Sequence, residues 1–142
     1  MMISVSNEAI FWPMIVHAFL VLFLYGVLIT RRTKAVRSGH AKISQFRENR
    51  HEPAASITAR NAVANQFELP VLFYVATILL YMVNADNVVT IGLAWIFALS
   101  RYVHAFIHLT NNRLRYRRPA FFVGYGAVVL MWVWLAVWVA MS

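Results

Sequence analysis

Four apolar runs, each long enough to cross a bilayer and each set off by polar or charged connections, leave this chain few ways to fold. A hydrocarbon core of about 30 Å takes about 20 apolar residues at about 1.5 Å per residue. The runs cover about residues 10–30, 57–83, 88–110 and 119–141. With 61% hydrophobic and only 13% charged residues, the 142-residue chain suits one membrane domain over residues 1–142 far better than a soluble domain with a single buried core. Met1 to Glu8 lacks the basic segment of a secretory signal, and the run after it is too long for a signal core, so it is retained as a span. The expected fold is therefore all-α, an integral membrane four-helix bundle.

The connections differ in length and charge. Residues 31–56 form a long basic connection, Asn84-Ala-Asp-Asn87 a tight polar turn, and residues 111–118 a short basic connection. Short turns make the later helices antiparallel neighbours. Of the 13 Lys and Arg residues, seven lie between Arg31 and Arg50, Arg60 follows, and four lie between Arg113 and Arg118. Both basic connections are thus expected on the cytoplasmic side and both termini outside the cytoplasm. Trp12, Tyr81 and Trp138 then fall near the outer interface. The net charge of +8 is accounted for by anionic lipid and by the bias of cytoplasmic loops, so no nucleic-acid partner is expected. Arg47, Glu48, Arg50, His51 and Glu52, followed by Pro53, read as a partly helical segment that enters the second span through a first-turn proline.

Polar residues inside two spans are the candidate site, because ionisable groups at membrane depth are costly. With Arg60 set at zero on a helical wheel, Glu68 falls at about 80°, Asn61 at about 100° and Asn65 at about 140°, and Gln66 lies off this face. Pro70 removes the hydrogen bond to the Gln66 carbonyl, which predicts a kink with a free acceptor beside Glu68. In the third span, Arg101, His104 and His108 fall within about 60° of one another, and Asn112 and Arg115 extend that stripe. Glu68 and His104 lie roughly 12 and 10 Å from the basic ends of their helices, so the two polar faces are expected to meet.

Several templates are disfavoured. His104 and His108 offer an i, i+4 metal pair with Glu68 as a third ligand, but no cysteine and no second carboxylate support it, and no metal is expected. A bis-histidine haem would pair His104 with His17, which the orientation places at a different depth. The absence of cysteine also removes any protein thiol nucleophile, so thiol chemistry requires a thiol from the substrate.

The runs Asn65-Gln-Phe-Glu68-Leu-Pro-Val-Leu-Phe-Tyr74 and Arg101-Tyr-Val-His104-Ala-Phe-Ile-His108-Leu-Thr-Asn-Asn112-Arg113 resemble the membrane-associated proteins in eicosanoid and glutathione metabolism (MAPEG), and in particular small bacterial members. The resemblance covers all four spans. It implies a homotrimer in the bacterial inner membrane, with glutathione as cosubstrate in clefts between subunits near the cytoplasmic side. In family enzymes an Arg-x-x-x-Asn-x-x-Glu pattern on the second helix helps to hold glutathione. Asn65 and Glu68 match its last two positions, while Asn61 stands at the arginine position and Arg60 lies one residue earlier. Arg101, His104 and His108 are similar to the Arg, His and Tyr of the prostaglandin synthase branch, with His replacing Tyr. The arginine that faces the glutathione sulfur in that branch corresponds by spacing to Arg117, beside Arg118. Arg31-Arg32 resembles the arginine pair that ends the first helix of the leukotriene branch.

The activity implied is a glutathione-dependent transferase or peroxidase acting on a lipophilic small molecule that enters from the lipid bilayer. Arg117 or Arg118 would stabilise the thiolate, and Arg60, Asn61, Asn65, Glu68, Arg101, His104 and His108 would bind the tripeptide through charge-assisted bonds. Continued as one straight helix from the third span, Arg117 would fall about 160° from Arg101, off the polar stripe. The alternative is a noncatalytic membrane scaffold or lipid-binding protein whose polar helix face only fixes trimer packing.

Overall fold

A computed structural model describes residues 8–48 and 51–142, and those residues are all-helical. Helix α1 covers Phe11–Arg37, α2 Ile43–Glu48, α3 Ala54–Ala64, α4 Leu69–Met82, α5 Val88–Leu109 and α6 Leu114–Met141, with a single 3-10 turn at Asn65–Phe67 between α3 and α4. Four segments are long and apolar enough to cross a membrane: Phe11–Arg37, Ala54–Met82, Val88–Leu109 and Leu114–Met141. The expected segment around Arg47 contains the short α2, while Arg50 and residues 1–7 lie outside the described residues.

Two helices run beyond the expected limits. Helix α1 continues past Thr30 to Arg37, where Lys34 and Arg37 oppose the helix dipole at its C-terminal end. Gly39, at φ 75°, then takes the left-handed position that closes a helix. Helix α6 starts at Leu114, so Pro119 sits inside its early turns rather than at its start. Only one backbone bond is lost there, to Arg115, whose surroundings are exposed. The polar turn behaves as its residues require. Asn84 adopts φ 53°, and the Asn87 side chain accepts from the backbone N–H groups of Val89 and Thr90 to cap α5.

Apolar spacing sets which helix face is buried. On α1 the buried residues are Pro13, His17, Leu20, Leu24 and Leu28, a seam at intervals of three and four. On α4 the seam is Pro70, Phe73, Ala76, Thr77 and Leu80. Helix α5 is the central element, packed against α1, α3, α4 and α6. Small residues let it come close to its neighbours: Ala94, Ala98 and Ala105 are buried along it, and a Cβ on Gly124 of α6 would come within 2.5 Å of the Ser100 hydroxyl.

One apolar cluster joins Ile10, Leu80, Ala85, Met131 and Leu135, which puts both ends of the described chain at the end of the bundle that holds the 84–87 turn. Trp134 and Trp138 donate to the carbonyls of Ala85 and Val83 there. A second cluster, of Leu20, Leu24, Leu28, Ala59, Ala62, Val63 and Ala105, fills the half nearer the basic connections. A polar layer separates the two.

Candidate functional site

The polar layer is organised by a break in the second span. Helix α3 ends at Ala64, Asn65–Phe67 form the 3-10 turn, and Glu68 takes φ −97°, ψ −103°, outside the helical region. Pro70 accounts for the position of the break, because it has no N–H for the Gln66 carbonyl and is tolerated in the first turn of a new helix, where α4 places it. The sequence predicted a kink with its free acceptor at Gln66. The structure interrupts the helix here, and the Asn65 carbonyl accepts from Arg101 Nη2 at 3.2 Å.

Gln66, off the polar face on a uniform wheel, turns into the core and is 1% exposed. Its Oε1 lies 3.0 Å from His17 Nε2 and 3.4 Å from Arg101 Nε, and its Nε2 donates to the Ala62 carbonyl at 3.1 Å. An amide oxygen only accepts, so His17 Nε2 carries its proton and the Tyr74 hydroxyl donates to Nδ1 at 2.6 Å. The network ties α1, α4 and α5 to the break. Arg101, 1% exposed and paired with no carboxylate among the described residues, supports the break from behind.

On the outer side of the break lies an open cleft of about 400 Å³ lined by Asn61, Ala64, Asn65, Glu68, His108, Asn112 and Arg117. Its size lies within the range of ligand sites. Arg117 arrives there because α5 does not run straight on. The chain leaves α5 after Leu109, Asn112 turns at φ 49° with its N–H on the Ile107 carbonyl, and α6 restarts at Leu114. Arg117 Nη1 then donates to Asn112 Oδ1 at 2.6 Å. A second cleft, of about 290 Å³, is lined by Asn65, His104, Leu114, Arg117, Arg118, Phe121 and Phe122. Asn65 and Arg117 belong to both, so a polar cleft and an aromatic one share a wall.

The candidate residues therefore divide. Asn61, Asn65, Glu68, His108 and Arg117 meet in the polar cleft, and His104 and Arg118 border the aromatic one. Arg101 reaches neither and acts on the backbone of the break. Arg60 lies apart from both clefts, because Glu52 claims it at 3.2 Å. The Glu52 carboxylate is buried and also accepts from Arg32 Nε at 2.9 Å and Nη2 at 3.2 Å. Burial alone would raise its pKa, but the hydrogen bond from Arg32 and the charges of Arg32 and Arg60 outweigh that and hold it below the ordinary carboxylate value. Arg31 is engaged as well, donating to Ala55, Thr58 and Leu109 and so joining α1 to the ends of α3 and α5.

Two groups stand out as unfinished. His104 Nδ1 and His108 Nδ1 are buried and have no hydrogen-bond partner among the described residues. An unsatisfied buried polar atom costs about 1–3 kcal/mol, so such groups in a cleft wall point to a ligand or to proton transfer. The cleft presents one carboxylate, one guanidinium, one imidazole and three primary amides, a set that suits a zwitterionic, peptide-like ligand.

Four apolar spans around a buried polar layer, with a charged cleft beside it, define an integral membrane protein built as a helical bundle. The model of the MAPEG family matches residues 9–137, nearly the whole chain, and the chain belongs to that family. No curated protein and no solved structure matches it significantly.

Proposed function

We propose that the protein is a membrane-embedded glutathione-dependent transferase or peroxidase acting on lipophilic electrophiles. The observation that carries this reading is the shared wall: Arg117 borders both a polar cleft suited to a tripeptide and an aromatic cleft suited to an apolar co-substrate. Family membership supports a glutathione-related activity. In this reading Glu68 binds the ammonium group of glutathione, Asn61, Asn65 and Asn112 bind its amides and carboxylates, and Arg117 faces the sulfur.

A thiol of pKa about 8.5 is mostly protonated at neutral pH, and a close guanidinium favours its anion by about 1–3 units. Each unit is about 1.4 kcal/mol, or a tenfold gain in thiolate. Leu114, Phe121 and Phe122 would receive the electrophile from the bilayer, and Arg118 stands beside them. Asn61 and Glu68 are exposed on the protomer surface, where lipid would be unfavourable. A homotrimer that covers them between subunits resolves this, with the basic connections toward the cytoplasm and both termini outside.

The test is a melting curve of the purified protein with and without glutathione, followed by thiolate absorbance of the complex. Glutathione should raise the melting temperature, and Arg117→Ala should keep part of that shift while losing most of the thiolate signal. Absence of any glutathione effect, with Glu68→Gln altering only the assembly, would leave a packing scaffold in place of an enzyme.

A further inference from the structure

One group in the polar cleft has a buried polar atom with no partner among the described residues. That group is His108, only 4% exposed, and the atom is its Nδ1. We propose that His108 is the proton acceptor for the thiol bound in this cleft, a role that rests on the glutathione reading above. The imidazole takes the S–H proton, so the S–H bond breaks, an N–H bond forms, and sulfur keeps the electron pair beside Arg117. The thiolate then forms a C–S bond to an electrophile such as an epoxide. The C–O bond opens with its electron pair on oxygen, and the imidazolium returns the proton to that oxygen. Thiol and epoxide combine with no atom lost.

Glu68 is the other acceptor in the same cleft, but it is exposed at the cleft mouth and assigned to the ammonium group, whereas His108 is buried in the cleft wall. The charged and titratable groups around His108 are Arg101 and His104 on α5, Arg117 on α6 and Glu68 at the break, while Arg31 of α1 is held on the neighbouring Leu109 carbonyl. The His104 ring stands edge-on, 5.9 Å from that of His108, and borders the aromatic cleft instead.

The experiment compares the full-length protein with His108→Asn, using glutathione and styrene oxide. His108→Asn should retain the glutathione-induced melting shift while kcat falls about a hundredfold, the usual scale of general-base catalysis. Its pH–rate profile should move toward the ionisation of the free thiol, and added imidazole should restore rate in proportion to its neutral form. An unchanged kcat and pH profile, or a lost melting shift, would overturn the proposal. If the native protein itself shows no glutathione shift, the transferase reading fails first and this role fails with it. Should His108→Asn not fold, His108→Gln serves the same comparison, and a rate that imidazole does not restore is the negative result.

Discussion

Replacing Arg101 by Met separates support of the helix break from overall stability. The guanidinium makes one good hydrogen bond, to the Asn65 carbonyl at 3.2 Å, and a long one to Gln66 Oε1 at 3.4 Å. Gln66 keeps His17 as a partner, so the substitution strands mainly the Asn65 carbonyl, at about 1.5–3 kcal/mol for a bond from a charged donor. Against this, a buried guanidinium that pairs with no carboxylate among the described residues carries a desolvation cost of several kcal/mol, which Met removes. The two nearly cancel globally, and Arg101→Met should melt within a few degrees of the native protein.

The local effect does not cancel. Losing about 1.5–3 kcal/mol at the break corresponds to roughly ten- to hundredfold faster opening. Hydrogen exchange in detergent should show this at the amides of residues 65–69 and not in α6, together with weaker glutathione binding. A folded Arg101→Met protein with native protection across residues 65–69 would refute the supporting role.

Two further outcomes test the rest of the architecture. Glu52 has a folded pKa below its ordinary value, so its contribution to stability is present above about pH 4.3 and is lost as pH falls through the folded value; Glu52→Gln should cost roughly 1–3 kcal/mol at neutral pH and flatten the acid limb of a melting-temperature profile, and an unchanged limb counts against the pair. Gly124→Ala forces the Ser100 hydroxyl aside from the Phe97 carbonyl, yet a helical Gly→Ala exchange gains about 0.5–1 kcal/mol, so the single variant should be near neutral and Gly124→Ala with Ser100→Ala more stable than the native protein, which a thermal melt decides.

The spans were legible because apolar length is a direct physical requirement of the bilayer, and the spacing of Asn61, Asn65 and Glu68 correctly put them on one face. What escaped the sequence depends on which face meets the core and on departures from regular helix. Gln66 falls at about 240° on the same wheel, between the buried Ala59 and Ala62, so the face that enters the core is the one opposite Asn61 and Glu68. Arg117 reaches the cleft through the left-handed turn at Asn112, which a straight continuation of α5 could not foresee. Arg60 falls on the right helix but is taken by Glu52, a loop residue whose position no periodicity encodes. Arg101, His104 and His108 form one stripe in sequence and still do three different things, because each meets a different neighbour.

The break also bears on how the second span can exist in lipid at all. Helix α4 has 14 residues, about 21 Å, too short to cross a core of about 30 Å alone, so a span that includes it must also include the break. Backbone groups within a span must find partners inside the protein. The donor to the Asn65 carbonyl belongs to α5, a segment made later in the chain and joined to α4 only by the turn at residues 84–87. The second span is therefore not a self-sufficient membrane helix; the carbonyl at its break finds its side-chain donor only when the third span lies beside it.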